Sequence, residues 1–442
     1  MSFAALLWLA ACGGGQKGRV VVVALDGLEY SELDRGIERG DLPHFKRLMA
    51  EGVRAEMEVT TPIMSPILWT TIASGYPATD HGIGGWTDGA TRSYSAADVR
   101  VKRVWDVLGE ARRPVVVSGW LMTWPAAPVH GALLSERFVW SFPMNKRSDD
   151  ETLATDIKVR SATAFPESLI GRATTLRPDE AWLAQSPLAY QVESYGAPFH
   201  PLLRDETHLR VFEALWPEAG ADFGAVYLNG ADQVSHIYWP FTDPTTYAAI
   251  AADPATHHAA AQAQALAHPE RRPPPYADGI TPERLAQAAR FVPDYYRYLD
   301  GALARVMALV GPDTTLIVCS DHGFRTSTAQ PLTNGSHNPT AVFLAWGARV
   351  KPGRAAAPIH VFDVAPTLYR LLDLPNAADT PGSALESLFV LPDARAPVPT
   401  RKLERAMVGA AEGGLADEQL KEQLEALGYL DDDVPVGASR RP

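Results

Sequence analysis

Val20-Val21-Val22-Val23-Ala24-Leu25, ended abruptly by Asp26-Gly27, decides the fold class. The run is continuous and β-branched, which is the pattern of a strand covered on both faces, as in a parallel sheet. Segments of alternating character follow. Asp41 to Gly52 is expected to be a helix with Phe45, Leu48 and Met49 on one face and Gly52 as its stop. Val101 to Arg112 reads as a second amphipathic helix, and Pro114 to Ser118 as a second buried strand. Ala221 to Leu228 and Thr315 to Cys319 are further strands, separated by a long helix expected over Pro282 to Val310. A loop to His337, a strand at Ala341 to Trp346 and a helix at Phe362 to Leu372 complete the series. This rhythm predicts an α/β fold: a doubly wound, mostly parallel sheet with helices on both faces.

The chain of 442 residues is 46% hydrophobic and 21% charged, enough for one large domain with insertions. A net charge of -12 speaks against a surface for nucleic-acid polymers, whereas bound cations can still draw in a small anionic substrate. From about 123 to 205 the rhythm weakens and tryptophans accumulate (Trp124, Trp140, Trp182), as expected of an insertion that caps a site. The stretch from about 249 to 281 is rich in Ala, His and Pro; His257, His258 and His268 there fit a solvated helix and linker better than a metal site. Residues 401–442 are expected to form a helical tail that frays beyond Asp431.

The first 18 residues differ from the rest. Phe3 to Ala11 is apolar but too short to span a bilayer, and Leu9-Ala10-Ala11-Cys12-Gly13 places small residues before a cysteine. This looks like a bacterial lipoprotein signal with lipid added to Cys12, although no Lys or Arg precedes the apolar run. An exported, lipid-anchored protein on a bacterial membrane follows as the expectation. The other cysteine, Cys319, lies in a buried-strand run, so with Cys12 lipidated no disulfide can form within the chain.

Three buried-strand runs end in acidic residues: Leu25 in Asp26, Leu228 in Asn229-Gly230-Ala231-Asp232, and Cys319 in Ser320-Asp321-His322. In a parallel sheet the carboxyl ends of strands share one edge, so these carboxylates should converge. Crowded like charges call for something positive among them. His236, His322 and His337 stand in the same places, and mixed Asp and His donors suit zinc first, with manganese as the alternative. A further stretch, Thr60 to Gly75, reads as a turn feeding a short helix in which Ser65 caps the first turn, Pro66 takes the first helical position and Gly75 ends it. A hydroxyl at a helix N-terminus sits where a phosphate or sulfate is welcome.

Asp26, Ser65-Pro66-Ile67-Leu68-Trp69-Thr70-Thr71-Ile72-Ala73-Ser74-Gly75 with His81-Gly82-Ile83, Asp232-x-x-x-His236, Ser320-Asp321-His322-Gly323 and His337 together resemble the type I phosphodiesterase/nucleotide pyrophosphatase branch of the alkaline phosphatase superfamily. The resemblance runs from about Arg19 to Leu391, and it implies an alkaline-phosphatase-like catalytic domain over 19–400. It also implies two zinc ions, one held by Asp26, Asp321 and His322 beside the nucleophile, the other by Asp232, His236 and His337. Spacing alone does not divide the ligands in this way. The family register places the nucleophile at Ser65, itself a metal contact, with Thr61 as its rival. The implied activity is hydrolysis of phosphodiester or pyrophosphate bonds in a small substrate through a phosphoserine intermediate. Where nucleotide pyrophosphatases carry a phosphate-binding Asn, this chain has Trp86, a candidate wall for the substrate's organic group.

Other members of the superfamily share the chemistry. A sulfatase would need Cys/Ser-x-Pro-x-Arg, which Ser65-Pro66-Ile67-Leu68-Trp69 does not match. A phosphomonoesterase or a surface phosphotransferase differs in substrate charge or acceptor. A non-catalytic, metal-stabilised lipoprotein would show a broken site, and here nucleophile and ligands are all present.

Overall fold

The computed structural model describes residues 18–88, 93–139, 162–189, 200–267 and 276–404. The anchor expected at Cys12, together with Trp140, His268 and the tail beyond residue 404, lies outside them. In chain order the strands are β1 (Val20–Leu25), β2 (Val53–Glu58), β3 (Val115–Ser118), β4 (Gly131–Leu134), β5 (Ala164–Phe165), β6 (Phe223–Leu228), β7 (Thr315–Cys319), β8 (Gly323–Thr326), β9 (Gly335–Asn338), β10 (Thr340–Gly347), β11 (Gly353–Arg354) and β12 (Ile359–His360). Ten form one sheet in the order β11-β2-β10-β7-β1-β6-β3-β4-β5, with β12 on β2, while β8 and β9 form a separate hairpin.

β1 lies at the centre, parallel to β6 and β7. Val21, Val23 and Leu25 enter the core on one face with the helices Pro43–Glu51, His200–Ala219 and Phe291–Val310. Val20, Val22 and Ala24 enter the other, with the helices Ser65–Ser74, Val104–Glu110 and Val364–Leu371. Side chains alternate across a strand, so a strand covered on both faces must be apolar throughout. The register then fixes the site: Leu25 pairs with Leu228 and Ala24 with Cys319, and Asp26 N donates to Leu228 O at 3.0 Å. The residues that follow β1, β6 and β7 therefore emerge at one level of one edge.

Several elements differ from expectation. The helix expected over Pro282 to Val310 is two, Pro282–Ala288 and Phe291–Val310. Pro293 lacks the N–H that would bond to Ala289, and its ring would clash with that carbonyl. The expected loop before His337 contains the β8–β9 hairpin, and β10 runs antiparallel to both β7 and β2. β4 and β5, from the stretch between 123 and 205, lie in the main sheet, β5 antiparallel to β4.

Candidate metal centre and nucleophile

β1 delivers Asp26. β6 delivers Asn229 and then the helix Gly230–Thr242, where Asp232 and His236, four residues apart, share one face. β7 delivers Asp321 and His322, and the hairpin folds back so that β9 brings His337. In front of this edge stands the helix Ser65–Ser74. It begins one residue earlier than expected: Met64 flanks it, Ser65 is its first residue, and the flank makes no side-chain cap. The Ser65 hydroxyl is therefore left to the site. Its Oγ lies 3.4 Å from Asp26 Oδ1 and 3.5 Å from His322 Nε2. Gly75 ends the helix with φ of 82°, a left-handed conformation that suits glycine.

Two other nearby hydroxyls are occupied. Thr70 donates to Pro66 O at 2.7 Å, and Thr71 bonds the fully buried His81 at 3.2 Å. Thr61 is exposed. His81 also accepts from Ile83 N at 3.1 Å, so the His-Gly-Ile motif fastens the loop to the helix behind the nucleophile.

Each oxygen of Asp26 has its own task. Oδ2 accepts from Trp69 Nε1 at 3.1 Å and from the Tyr227 hydroxyl. Oδ1 faces Ser65 and lies 3.3 Å from His322 Nε2. Asp232 Oδ1 is a second focus, 3.3 Å from His236 Nε2, 3.5 Å from His337 Nε2 and 3.7 Å from His322 Nε2. Two groups of possible donors result, Asp26 with Asp321 and His322, and Asp232 with His322 and His337, the donor atoms in each within 4.8 Å of one another. His236 joins the second focus, its Nε2 3.0 Å from that of His337. His322 thus borders both groups.

The donor set fits cations. His322 Nδ1 lies 3.1 Å from Gly323 O, and His337 Nδ1 lies 3.2 Å from Ile63 O. A carbonyl only accepts, so each ring donates from Nδ1 and is held with Nε2 turned into the site. Asp321 Oδ2 is buried without a hydrogen-bond partner. Like charges about 4 Å apart at an effective dielectric of about 20 repel by about 4 kcal/mol, so a few such contacts consume a domain's usual margin of stability unless positive charge lies between them. The protonation equilibria show the same demand. Burial, with Asp26 alongside, holds the Asp321 carboxyl well above its ordinary range. Burial alone would lower His322, but Asp321 and Asp26 outweigh it and raise it to about 10. Burial and the neighbouring His322 lower His337 to about 4. Burial would raise Asp232, yet His236, His337 and His322 keep it well below the carboxylate range.

A sequence profile of the type I phosphodiesterase/nucleotide pyrophosphatase family matches residues 20–354. This chain belongs to that family. As a type I phosphodiesterase/nucleotide pyrophosphatase family member it falls within the alkaline phosphatase superfamily, and its Asp/His clusters form a metal-binding active site beside a serine placed to act as nucleophile. No curated protein matches the sequence. Among solved structures, the wild-type alkaline phosphatase PafA is 14% identical, covering 85% of this chain and 99% of its own, with a TM-score of 0.48. Human ectonucleotide pyrophosphatase/phosphodiesterase 5 is 12% identical, covering 85% and 100%, with a TM-score of 0.46. Phosphonoacetate hydrolase from Sinorhizobium meliloti 1021 is 18% identical over 70% of this chain, which spans 57% of that hydrolase's length, with a TM-score of 0.38.

Three residues around this family site have roles that their place in the sequence does not disclose. Trp69 lies one helical turn after Ser65, a spacing that puts both on one face. Tyr227 sits inside β6 opposite Ala24 and looks like core. Glu29, buried beyond Gly27, accepts from Phe324 N at 2.9 Å and Asn338 Nδ2 at 3.4 Å, and so clasps the hairpin that carries His337. Trp86 is 6% exposed and packs in the core with Trp69 and Trp120.

Proposed function

We propose that this chain is a two-metal hydrolase that cleaves phosphodiester or pyrophosphate bonds in small substrates, with Ser65 as nucleophile. The observation that carries it is the Ser65 hydroxyl at 3.4 Å from Asp26 Oδ1 and 3.5 Å from His322 Nε2, on the first residue of a helix. Asp26, Asp321 and His322, with Ser65, would hold one cation, and Asp232, His236 and His337 the other. Three oxygen and nitrogen donors each favour zinc, with manganese second. Bound there, the two ions supply the positive charge that favours ionised Ser65 and neutralises the phosphoryl oxygens.

The chain's own residues supply the rest. The helix N-terminus adds positive potential at Ser65 Oγ. Trp69 and Tyr227 fix the Asp26 carboxylate so that Oδ1 stays turned to the nucleophile. The Ser65 proton is lost to solvent as Oγ attacks phosphorus in line; the bond to the leaving oxygen breaks, and the leaving group departs with its electron pair and takes a proton from solvent. Water then displaces the phosphoryl group from Ser65, giving product acid and free serine.

A diester substrate is favoured over a monoester. Among the described residues no Lys or Arg hydrogen-bonds or ion-pairs with Ser65, Asp26, Asp321 or His322; the buried Arg204 guanidinium donates to Gln233 Oε1 at 3.1 Å and acts on Asp26 only through space. Arg325 is exposed and its Nε donates to His337 O at 3.2 Å, while Arg147 lies outside the described residues. Trp86, packed in the core at 6% exposure, offers little surface to the substrate's organic group, so the expected Trp86 wall is not part of this proposal. Attachment to a bacterial membrane by lipid on Cys12 completes the proposal; no helix among the described residues is long and apolar enough to cross a membrane. The test is a panel of bis(p-nitrophenyl) phosphate, p-nitrophenyl phosphate, a phosphonate monoester and an aryl sulfate, with metal content measured on the same sample. The highest kcat/KM is expected for the diester. A clear preference for the monoester or the sulfate contradicts the assignment.

A further inference from the structure

The helix Gly230–Thr242 carries Asp232 and His236, yet its own flanking residue, Asn229, makes no side-chain cap. The cap comes from another helix. Asp205, fully buried on His200–Ala219, accepts from Asn229 N at 2.9 Å through Oδ1 and from Gly230 N at 3.1 Å through Oδ2. The Tyr295 hydroxyl, from Phe291–Val310, donates to the same Oδ2 at 2.7 Å. The approach is close enough to dictate residue 230: a Cβ there would lie 1.7 Å from Tyr295 Oη and 2.9 Å from Asp205 Oδ2.

We infer that Asp205 is a positioning residue for the second metal site, fixing the start of the Gly230–Thr242 helix so that Asp232 and His236 meet His337. A carboxylate at a helix N-terminus satisfies free N–H groups and complements the dipole, which anchors the helix in rotation as well as in height. Asp232 is only the third residue of that helix, so a small rotation of its first turn moves the Asp232 carboxylate directly. The inference rests on the two-metal function proposed above and assigns a residue that neither the family motif nor the metal ligands include.

The same device recurs among the described residues where no metal ligand follows. Asp300 Oδ1 accepts from His44 N at 3.0 Å and Phe45 N at 2.9 Å, capping Pro43–Glu51, whose flanking Leu42 supplies no cap. Asp300 is thus an internal control: a cap from a neighbouring helix, on a helix with no site residue.

The experiment uses the full chain stripped of metal, titrated with Zn2+ against a chromophoric chelator, with melting temperatures measured alongside. Asp205→Asn keeps the shape but replaces one acceptor by a donor. It is expected to weaken one of the two bound ions by about ten- to a hundredfold, the range for residues that orient metal ligands, and to leave the other nearly unchanged. Asp300→Asn should lower the melting temperature and leave both affinities at wild type. Wild-type affinity for both ions in Asp205→Asn, or an equal loss in Asp300→Asn, overturns the inference and leaves the two-metal function standing. A wild-type chain that binds fewer than two ions overturns both. Should Asp205→Asn fail to fold, Tyr295→Phe decides: one ion a few-fold weaker is expected, and unchanged affinity overturns the inference.

Discussion

The Tyr227 hydroxyl donates to Asp26 Oδ2, the oxygen that does not face Ser65. Tyr227 is 3% exposed, so nothing from solvent replaces this bond. A hydrogen bond to a charged acceptor contributes about 1.5–3 kcal/mol. Tyr227→Phe keeps the ring that packs edge-on to Trp69 and removes only the donor. A fall in kcat/KM of about ten- to a hundredfold is expected, with weaker Zn2+ binding in the same variant. Unchanged Zn2+ affinity in a competition assay would sink the idea that this hydroxyl orients Asp26.

The fold and the site were unequally legible in the sequence. β1 was plain because a strand covered on both faces cannot hide a polar residue, and Asp26, Asp232 and Asp321 were legible because each follows such a strand. β2 is hard to see in the sequence because it is half-buried, with Arg54, Glu56 and Glu58 alternating with its core residues. The β8–β9 hairpin leaves little trace in the sequence because its residues are mostly polar or glycine, and it is held by Glu29, hundreds of positions away. Ser-Pro is good cap chemistry, so the local pattern makes Ser65 a cap while the family register makes it the nucleophile; contact with Asp26 and His322 agrees with the second reading. Tyr227 and Asp205 act through partners distant in sequence, which no local pattern records.

Metal removal should cost stability as well as activity. The carboxylates of Asp26, Asp232 and Asp321 are buried together and repel once the cations are gone. Chelator-treated protein is expected to lose turnover and to melt several degrees lower, with both restored by Zn2+. Elemental analysis should find about two divalent transition metals per active chain. Active protein containing none refutes the metal assignment.

Two histidines away from the ligand clusters contribute to the loss of stability in acid. Burial lowers His208, and likewise His81, to about 3 from an ordinary value of 6.5. Each is neutral when folded and takes a proton when unfolded below 6.5, so its stability contribution is full above pH 6.5 and is lost as pH falls toward about 3. His208 packs against Gly119 and contacts Ser118 Oγ at 3.3 Å through Nδ1. His208→Gln should therefore flatten the decline in melting temperature between about pH 6.5 and 4.5, even if it lowers the value at pH 7. A decline as steep as wild type contradicts this origin.

Membrane attachment is expected to depend on Cys12 alone. Cys319, the other cysteine, is fully buried in β7, where burial raises its thiol well above the ordinary range. Cys12→Ser should release the protein from the membrane fraction and abolish labelling by palmitate. Unchanged fractionation and labelling refute the anchor.

The central claim is that Ser65 attacks phosphorus within a two-metal site, and kcat/KM for bis(p-nitrophenyl) phosphate in Ser65→Ala, with metal content measured on the same sample, tests it most directly. Removing a nucleophile that acts together with its site should cost about a thousandfold or more, while the three protein donors left in each group retain both ions. Near-wild-type turnover in Ser65→Ala, or the same collapse in Thr61→Ala with Ser65→Ala active, would contradict it.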